Sequence, residues 1–108
     1  MKELLKNKVA IVTGGGRGIG RGHSLHLAKS GASVLVNDID SEEAEKVVNE
    51  ILDEGGVAKT SSQDISSREG CSLLIDECIS EFGNIDILVN NAGVLRDKSL
   101  LKMTDEDF

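Results

Sequence analysis

Apolar residues fall along this chain in two alternating rhythms. Short, nearly continuous runs containing β-branched residues stand at 8–13 (KVAIVT), 33–37 (SVLVN) and 85–90 (IDILVN). This is the pattern of strands buried on both faces of a parallel sheet. A weaker run at 57–62 (VAKTSS) fits a fourth strand. Between the runs, apolar residues recur at i, i+3, i+4 spacing: Ala44, Val47, Val48, Ile51 and Leu52 in one segment, and Cys71, Leu74, Ile75, Cys78, Ile79 and Phe82 in the next. Such spacing predicts helices with one buried stripe. In an earlier helix, His23 lies four residues after Ile19 and four before Leu27, which places it on the inward stripe as a hydrogen-bonded histidine, while His26 points to solvent. Asp40 with Glu43, and Ser66 with Glu69, read as capping boxes, and Gly31, Gly55 and Gly83 stand where helices should stop.

Strand and helix thus alternate through 90 residues, with connections too short for anything but right-handed crossovers onto one parallel sheet. The fold class expected is α/β, the first four strands and three helices of a doubly wound parallel sheet. No internal repeat, low-complexity tract or linker interrupts it. At the other end, MTDEDF offers Thr104 as a helix cap with acids in the first turn, yet the sequence stops at Phe108. The expectation is a domain cut off part-way.

Composition narrows the partners. Hydrophobic residues make up 39% and charged residues 29% of the 108, an ordinary soluble balance. The chain has no run of about 18 apolar residues and no basic-then-apolar leader, so a cytoplasmic location is expected. Twelve Lys and Arg against nineteen Asp and Glu leave a net charge of −7, which repels a nucleic acid backbone and an anionic membrane surface alike. Cys71 and Cys78, seven apart on one helix, sit roughly 10 Å apart along its axis, too far for a disulfide. They read as reduced core residues; metal ligation would need further ligands nearby. The chain contains no Tyr, Trp or Pro.

The chemistry concentrates in VTGGGRGIG, residues 12–20. These glycines follow the first strand and open the first helix, where unpaired N–H groups and the positive end of the helix dipole suit a pyrophosphate. The generic Gly-x-Gly-x-x-Gly fingerprint fits no register here, because starting at Gly14 and Gly16 puts Ile19 third. Thr-Gly-x-x-x-Gly-x-Gly does fit, with Thr13, Gly14, Gly18 and Gly20 holding the pattern and Gly15, Gly16 and Arg17 between. Asp38 closes the second strand, where an acid can take ribose hydroxyls; a solvated turn feeding the Asp40 cap is the bland alternative.

With this spacing, and with NNAG at 90–93 directly after the fourth apolar strand, the chain resembles the short-chain dehydrogenases/reductases, in their commonest subgroup, over its whole length. The resemblance implies a Rossmann-type fold, with residues 1–108 as the N-terminal part of a dinucleotide-binding domain, truncated before the catalytic part. It implies that Gly14, Gly18 and Gly20 form the phosphate loop, with Thr13 in the same motif and Arg17 and Ile19 lining adenosine and pyrophosphate. Asp38 would hold the adenosine ribose, Asp64 and Ile65 would frame the adenine, and Asn90, Asn91, Ala92 and Gly93 would form the turn beside the second ribose. The implied cofactor is NAD, with NADP second because a carboxylate at Asp38 disfavours a 2′-phosphate; Arg17 pulls the other way, since a basic residue there accompanies NADP use in several relatives.

The loop VLRDKSLLKMTDEDF (94–108) is similar to that of beta-ketoacyl carrier-protein reductases and of the hydroxyacyl-CoA dehydrogenase unit of multifunctional beta-oxidation enzymes; a solvated loop of alternating charge is the plain alternative. The family's acid–base pair is a Tyr with a Lys four residues on, and this chain has no Tyr, so no catalytic residue is assigned. The expected function is the NAD-binding portion of an oxidoreductase moving a hydride between nicotinamide and an alcohol or ketone, such as a 3-hydroxyacyl or 3-oxoacyl thioester. The implied partners are a small-molecule substrate and, in the complete protein, further copies of itself. The alternatives are a nucleotide-binding module without catalysis and, third, a methyltransferase.

Overall fold

The computed structural model describes residues 4–91. Four strands and three helices alternate in the order β1 (Val9–Thr13), α1 (Gly18–Lys29), β2 (Ser33–Asn37), α2 (Ser41–Asp53), β3 (Val57–Ser61), α3 (Arg68–Phe82) and β4 (Ile87–Asn90). All neighbouring strands run parallel, in the order β3-β2-β1-β4. This is the doubly wound α/β arrangement the alternation predicts.

Period-two alternation divides the core into two layers. Ile11 lies in register with Leu35 and Leu88, and this row faces α3, packing with Ile65, Cys71, Leu74, Ile75 and Cys78. The next row, Val12 with Val36 and Val89, faces α1 and α2 and packs with Ala44, Val47, Val48 and Ile51. Because helices cover both faces, β1 is buried at every position and β2 at all but its first. β4 is half-buried throughout. The run at 85–90 therefore does not lie fully inside, since its strand forms a sheet edge among the described residues. It also begins two residues later than its apolar run, because the Asp86 carboxylate accepts from the Val9 N–H at 2.8 Å and so occupies the place of a ladder partner.

Several local expectations change. His23 is exposed, and Ser24 is the buried residue of that turn; the inward stripe runs through Gly20 and Ser24, one position round from the expected one, and Ile19 is 76% exposed. The cause is contact between segments: α1 must press Gly20 against Gly14, where a Cβ would collide with the Gly14 carbonyl. Leu52 and Ile79 likewise fall off their stripes and are 49% and 41% exposed. The glycines at the helix ends are placed as expected, Gly31, Gly55 and Gly83 all having left-handed φ.

The caps hold in part. Asp40 caps α2, accepting from the Glu43 N–H at 3.3 Å. The reciprocal half is taken by Asp38, whose Oδ1 accepts from the Asp40 N–H at 3.0 Å, while the Glu43 carboxylate pairs with Lys46. Ser67, not Ser66, caps α3, accepting from the Gly70 N–H at 2.9 Å. Ser66 instead donates its N–H to Asp64 Oδ1 at 2.9 Å, folding 64–66 into a tight turn. Both cysteines are free and buried. Burial pushes the Cys71 thiol up, and burial followed by the nearby Asp86 charge pushes Cys78 up to about 12.

Candidate functional site

The strands end in register on polar residues. Asn90 pairs with Thr13, Thr13 with Asn37, and Asn37 with Ser61, so one polar row crosses the whole sheet at its C-terminal edge. Buried polar groups at the end of an apolar sheet need partners, and most find them in each other. The Asn37 Nδ2 faces the Ser61 carbonyl, the Ser61 Oγ and the Gln63 carbonyl at 3.1–3.4 Å, and Ser61 in turn donates to the Glu77 carboxylate on α3. Thr13 Oγ1 accepts from the Asn91 N–H at 3.0 Å and lies 3.1 Å from Asn90 Oδ1, tying the glycine turn to the turn after β4. Among the described residues, Asn90 Nδ2 is buried without a hydrogen-bond partner.

Above this floor lies a cleft of about 380 Å³, lined by Gly14, Arg17, Asn37, Asp38, Ile39, Gln63, Asp64, Ile65, Ser66 and Asn91. That size falls within the ordinary range for ligand clefts. The fold places it at the C-terminal ends of the strands, next to β1 where the chain reverses its order across the sheet, which is where open α/β sheets bind ligands. A larger hollow of about 550 Å³ sits at the opposite end of the strands, among Leu25, Ala28, Ile51 and Val57. It lacks the polar row, so the chemistry favours the smaller cleft.

Two features give the cleft its character. The first is the start of α1. Among the described helices, α2 and α3 begin with a side-chain cap and an acid in the first turn, whereas α1, with Arg17 at its cap position, has neither. Its amide end is left for an anion. Gly18, with φ +54 and open space around a Cβ, and Gly20, pressed on Gly14, keep side chains out of that approach. The second is Asp38, only 4% exposed. Its Oδ2 accepts from the Gly16 N–H at 3.1 Å, and its Oδ1 from the Asp40 N–H at 3.0 Å and the Arg17 guanidinium at 3.4 Å. The carboxylate is thus held by main chain on one side and by a half-exposed cation on the other.

Of the residues singled out in sequence, the cleft brings together Gly14, Arg17, Asp38, Asp64, Ile65 and Asn91. Thr13 lies beneath them, Asn90 extends the floor, and Gly18, Ile19 and Gly20 form the beginning of α1. Ala92, Gly93 and the loop 94–108 lie outside the described residues. Sequence reasoning missed Asn37, Gln63 and Ser66 in the lining, and Gly70, where a Cβ would collide with the Asp64 carbonyl. Gly70 lets the 64–66 turn lie against the first turn of α3. Its signal was present, since glycine in a helix interior is disfavoured and asks for a packing reason.

The sequence model of the short chain dehydrogenase family matches residues 8–108. The chain belongs to the short-chain dehydrogenase family. Relatives include the peroxisomal hydratase-dehydrogenase-epimerase of Saccharomyces cerevisiae, 47% identical over 96% of this chain and 11% of that protein, and the 3-oxoacyl-[acyl-carrier-protein] reductase of Chlamydia muridarum, 38% identical over 100% of this chain and 44% of that protein. Among solved structures, a 7α-hydroxysteroid dehydrogenase in complex with NADH superposes with a TM-score of 0.82 at 46% identity, over 86% of this chain and 36% of that one. A metagenomic short-chain oxidoreductase in complex with NADP superposes at 0.79 and 37% identity, over 83% and 41%. The chain spans less than half the length of each of these relatives. Short-chain dehydrogenases bind a nicotinamide dinucleotide, and the cleft at β1, β2 and β3 holds an open helix end and a buried acid.

Proposed function

We propose that this chain is the NAD-binding portion of an oxidoreductase that moves a hydride between the nicotinamide and an alcohol or ketone. The observation that carries the proposal is Asp38, buried at the end of β2 beside the uncapped start of α1. In this reading the diphosphate rests on the amides of α1, and the Asp38 carboxylate accepts from the adenosine ribose hydroxyls. An ionised carboxylate offers about four acceptor positions, and the 3.4 Å contact with Arg17 is the longest of its three, so a ribose hydroxyl can add to the set or displace that contact. Asp64 and Ile65 wall the adenine, and Asn90 and Asn91 stand beside the second ribose.

Electrostatics favours NAD over NADP. A 2′-phosphate brings close to two negative charges against Asp38, and two unit charges 4 Å apart near a protein surface repel by about 4 kcal/mol. Arg17 offsets part of this only by leaving its own partner. The name of the Chlamydia relative, a 3-oxoacyl-[acyl-carrier-protein] reductase, supports a 3-hydroxyacyl or 3-oxoacyl thioester as substrate. A cytoplasmic location and self-association remain part of the proposal, beside the peroxisomal placement in the yeast relative's name.

A second reading has one observation in its favour: the chain contains no Tyr, so the 108 residues by themselves would bind nucleotide without turning it over. Titration of the purified protein with NADH, followed by nicotinamide fluorescence and by competition with S-adenosylmethionine, tests the common core of both. Saturable NADH binding that S-adenosylmethionine leaves untouched is expected; a folded protein that ignores NADH overturns it. Oxidation of NADH by added 3-oxoacyl thioester then separates enzyme from binding module.

A further inference from the structure

We propose that Gly16 is a specificity-determining residue, one that sets the position of the Asp38 carboxylate and through it the preference for an unphosphorylated ribose. The inference rests on the assignment of Asp38 to the adenosine ribose. The Thr-Gly-x-x-x-Gly-x-Gly pattern leaves position 16 open, so the motif does not explain why glycine stands there. Nor does backbone conformation, since Gly14 and Gly18 have positive φ and Gly16 does not.

Space explains it. A Cβ on Gly16 would lie 2.8 Å from the Ala44 nitrogen, 2.9 Å from the Glu43 carbonyl carbon and 2.9 Å from Asp38 Oδ2. The first two atoms are backbone in the opening turn of α2 and cannot rotate aside. The third belongs to a side chain that can. The Gly16 N–H also donates to that same Oδ2 at 3.1 Å. Gly16 therefore acts on Asp38 twice, holding one oxygen with its amide and allowing it to sit close by having no side chain. Any larger residue pushes the carboxylate off this bond and leaves it on the Asp40 N–H and the exposed Arg17 guanidinium.

Gly15 provides the contrast. A Cβ there would meet the Val12 carbonyl, Ser24 Oγ and Val36 Cγ1 at 2.8–3.1 Å, beneath the loop and away from Asp38. A substitution at Gly15 should disturb the loop without touching the carboxylate.

The test compares NADH and NADPH titrations for the purified protein and for Gly16→Ala, Gly15→Ala, Asp38→Ala and the Gly16→Ala/Asp38→Ala double variant. A hydrogen bond to a charged group carries a factor of about ten in affinity. Gly16→Ala is therefore expected to weaken NADH about tenfold and NADPH far less, whereas Gly15→Ala weakens both alike. In the Asp38→Ala background Gly16→Ala should leave the ratio unchanged, since it acts through the missing carboxylate. Equal losses for both cofactors in Gly16→Ala, or a ratio shift that persists without Asp38, overturn the inference. Should Gly16→Ala fail to fold, Asp38→Glu carries the test, because one extra methylene moves the carboxylate past the Gly16 amide; a narrowed preference supports the inference and an unchanged one overturns it. Failure of the unsubstituted protein to bind NADH overturns the ribose assignment itself, whereas a NADH preference that Asp38→Ala narrows and Gly16→Ala retains overturns only the role of Gly16.

Discussion

The two flanks of β1 are built to different degrees. On one side β2 and β3 lie under α1 and α2, and their ends carry Asn37, Asp38 and Ser61, each buried and hydrogen-bonded. On the other side β4 is half-buried along its length, and Asn90 keeps a buried amide nitrogen without a partner among the described residues. On the proposed reading, the first flank would face the adenosine end of a dinucleotide and the second its nicotinamide end. Recognition of the nucleotide would then be concentrated in residues that are already buried and hydrogen-bonded, and affinity should depend chiefly on them.

The strongest way to break this comparison is at the glycines of the first flank. Gly20→Val drives a side chain into the Gly14 carbonyl and should remove more than about 3 kcal/mol of stability. Gly18→Val meets no neighbouring atom but strains the backbone at φ +54, which should cost about 1–3 kcal/mol, less than Gly20→Val. It should lose NADH binding, because on the proposed reading its side chain would occupy the place of the diphosphate. Thermal melts followed by circular dichroism, paired with NADH titration, separate the two. Retained affinity in Gly18→Val would remove the diphosphate from the start of α1.

Asp38→Ala is next. It should weaken NADH by about 10-fold to 100-fold, the span of a hydrogen bond to a charged group, and NADPH much less, as read by parallel titrations. Thr13→Val acts on the seam between the flanks. It leaves the Asn91 N–H and Asn90 Oδ1 without the hydroxyl that now joins them and should cost about 1–3 kcal/mol in chemical denaturation, with a smaller effect on NADH than Asp38→Ala.

The second flank can be sharpened through Cys78, on the face of α3 that packs against the sheet. Its thiol is raised from 9.0 to about 12, so folding favours the neutral form. That contribution is complete below 9.0 and drains away as pH rises towards about 12. Denaturation midpoints should fall across this window, and Cys78→Ser should flatten the fall. The smallest effect belongs to the exposed Arg21–Glu50 pair joining α1 to α2. Arg21→Ala should cost little, and the loss should vanish at high salt, where surface pairs are screened.

Much of this was legible in sequence, and the limits have a common physical form. Strands and helices followed from local periodicity, and the glycine loop that opens α1 from glycine spacing. Asp38 was legible because it ends an apolar run. The inward turn of α1 was not: whether His23 or Ser24 faces the sheet depends on Gly20 meeting Gly14. Ser67 displaces Ser66 as a cap because Asp64 claims the Ser66 amide. Asn37 and Gly16 owe their roles to atoms 22 or more residues away, and no local pattern reports such contacts, whereas Gly70, set against the nearby Asp64, left its sign as a glycine inside a helix.

The most direct measurement is calorimetric titration with ADP-ribose, which carries the adenosine, the diphosphate and a second ribose but no nicotinamide, alongside its 2′-phosphorylated form. If the built flank of β1 does the recognising, ADP-ribose binds within about tenfold of NADH, and the 2′-phosphate weakens it by at least about tenfold, or roughly 1.4 kcal/mol. A folded protein that ignores ADP-ribose, or that takes both forms equally, contradicts the account.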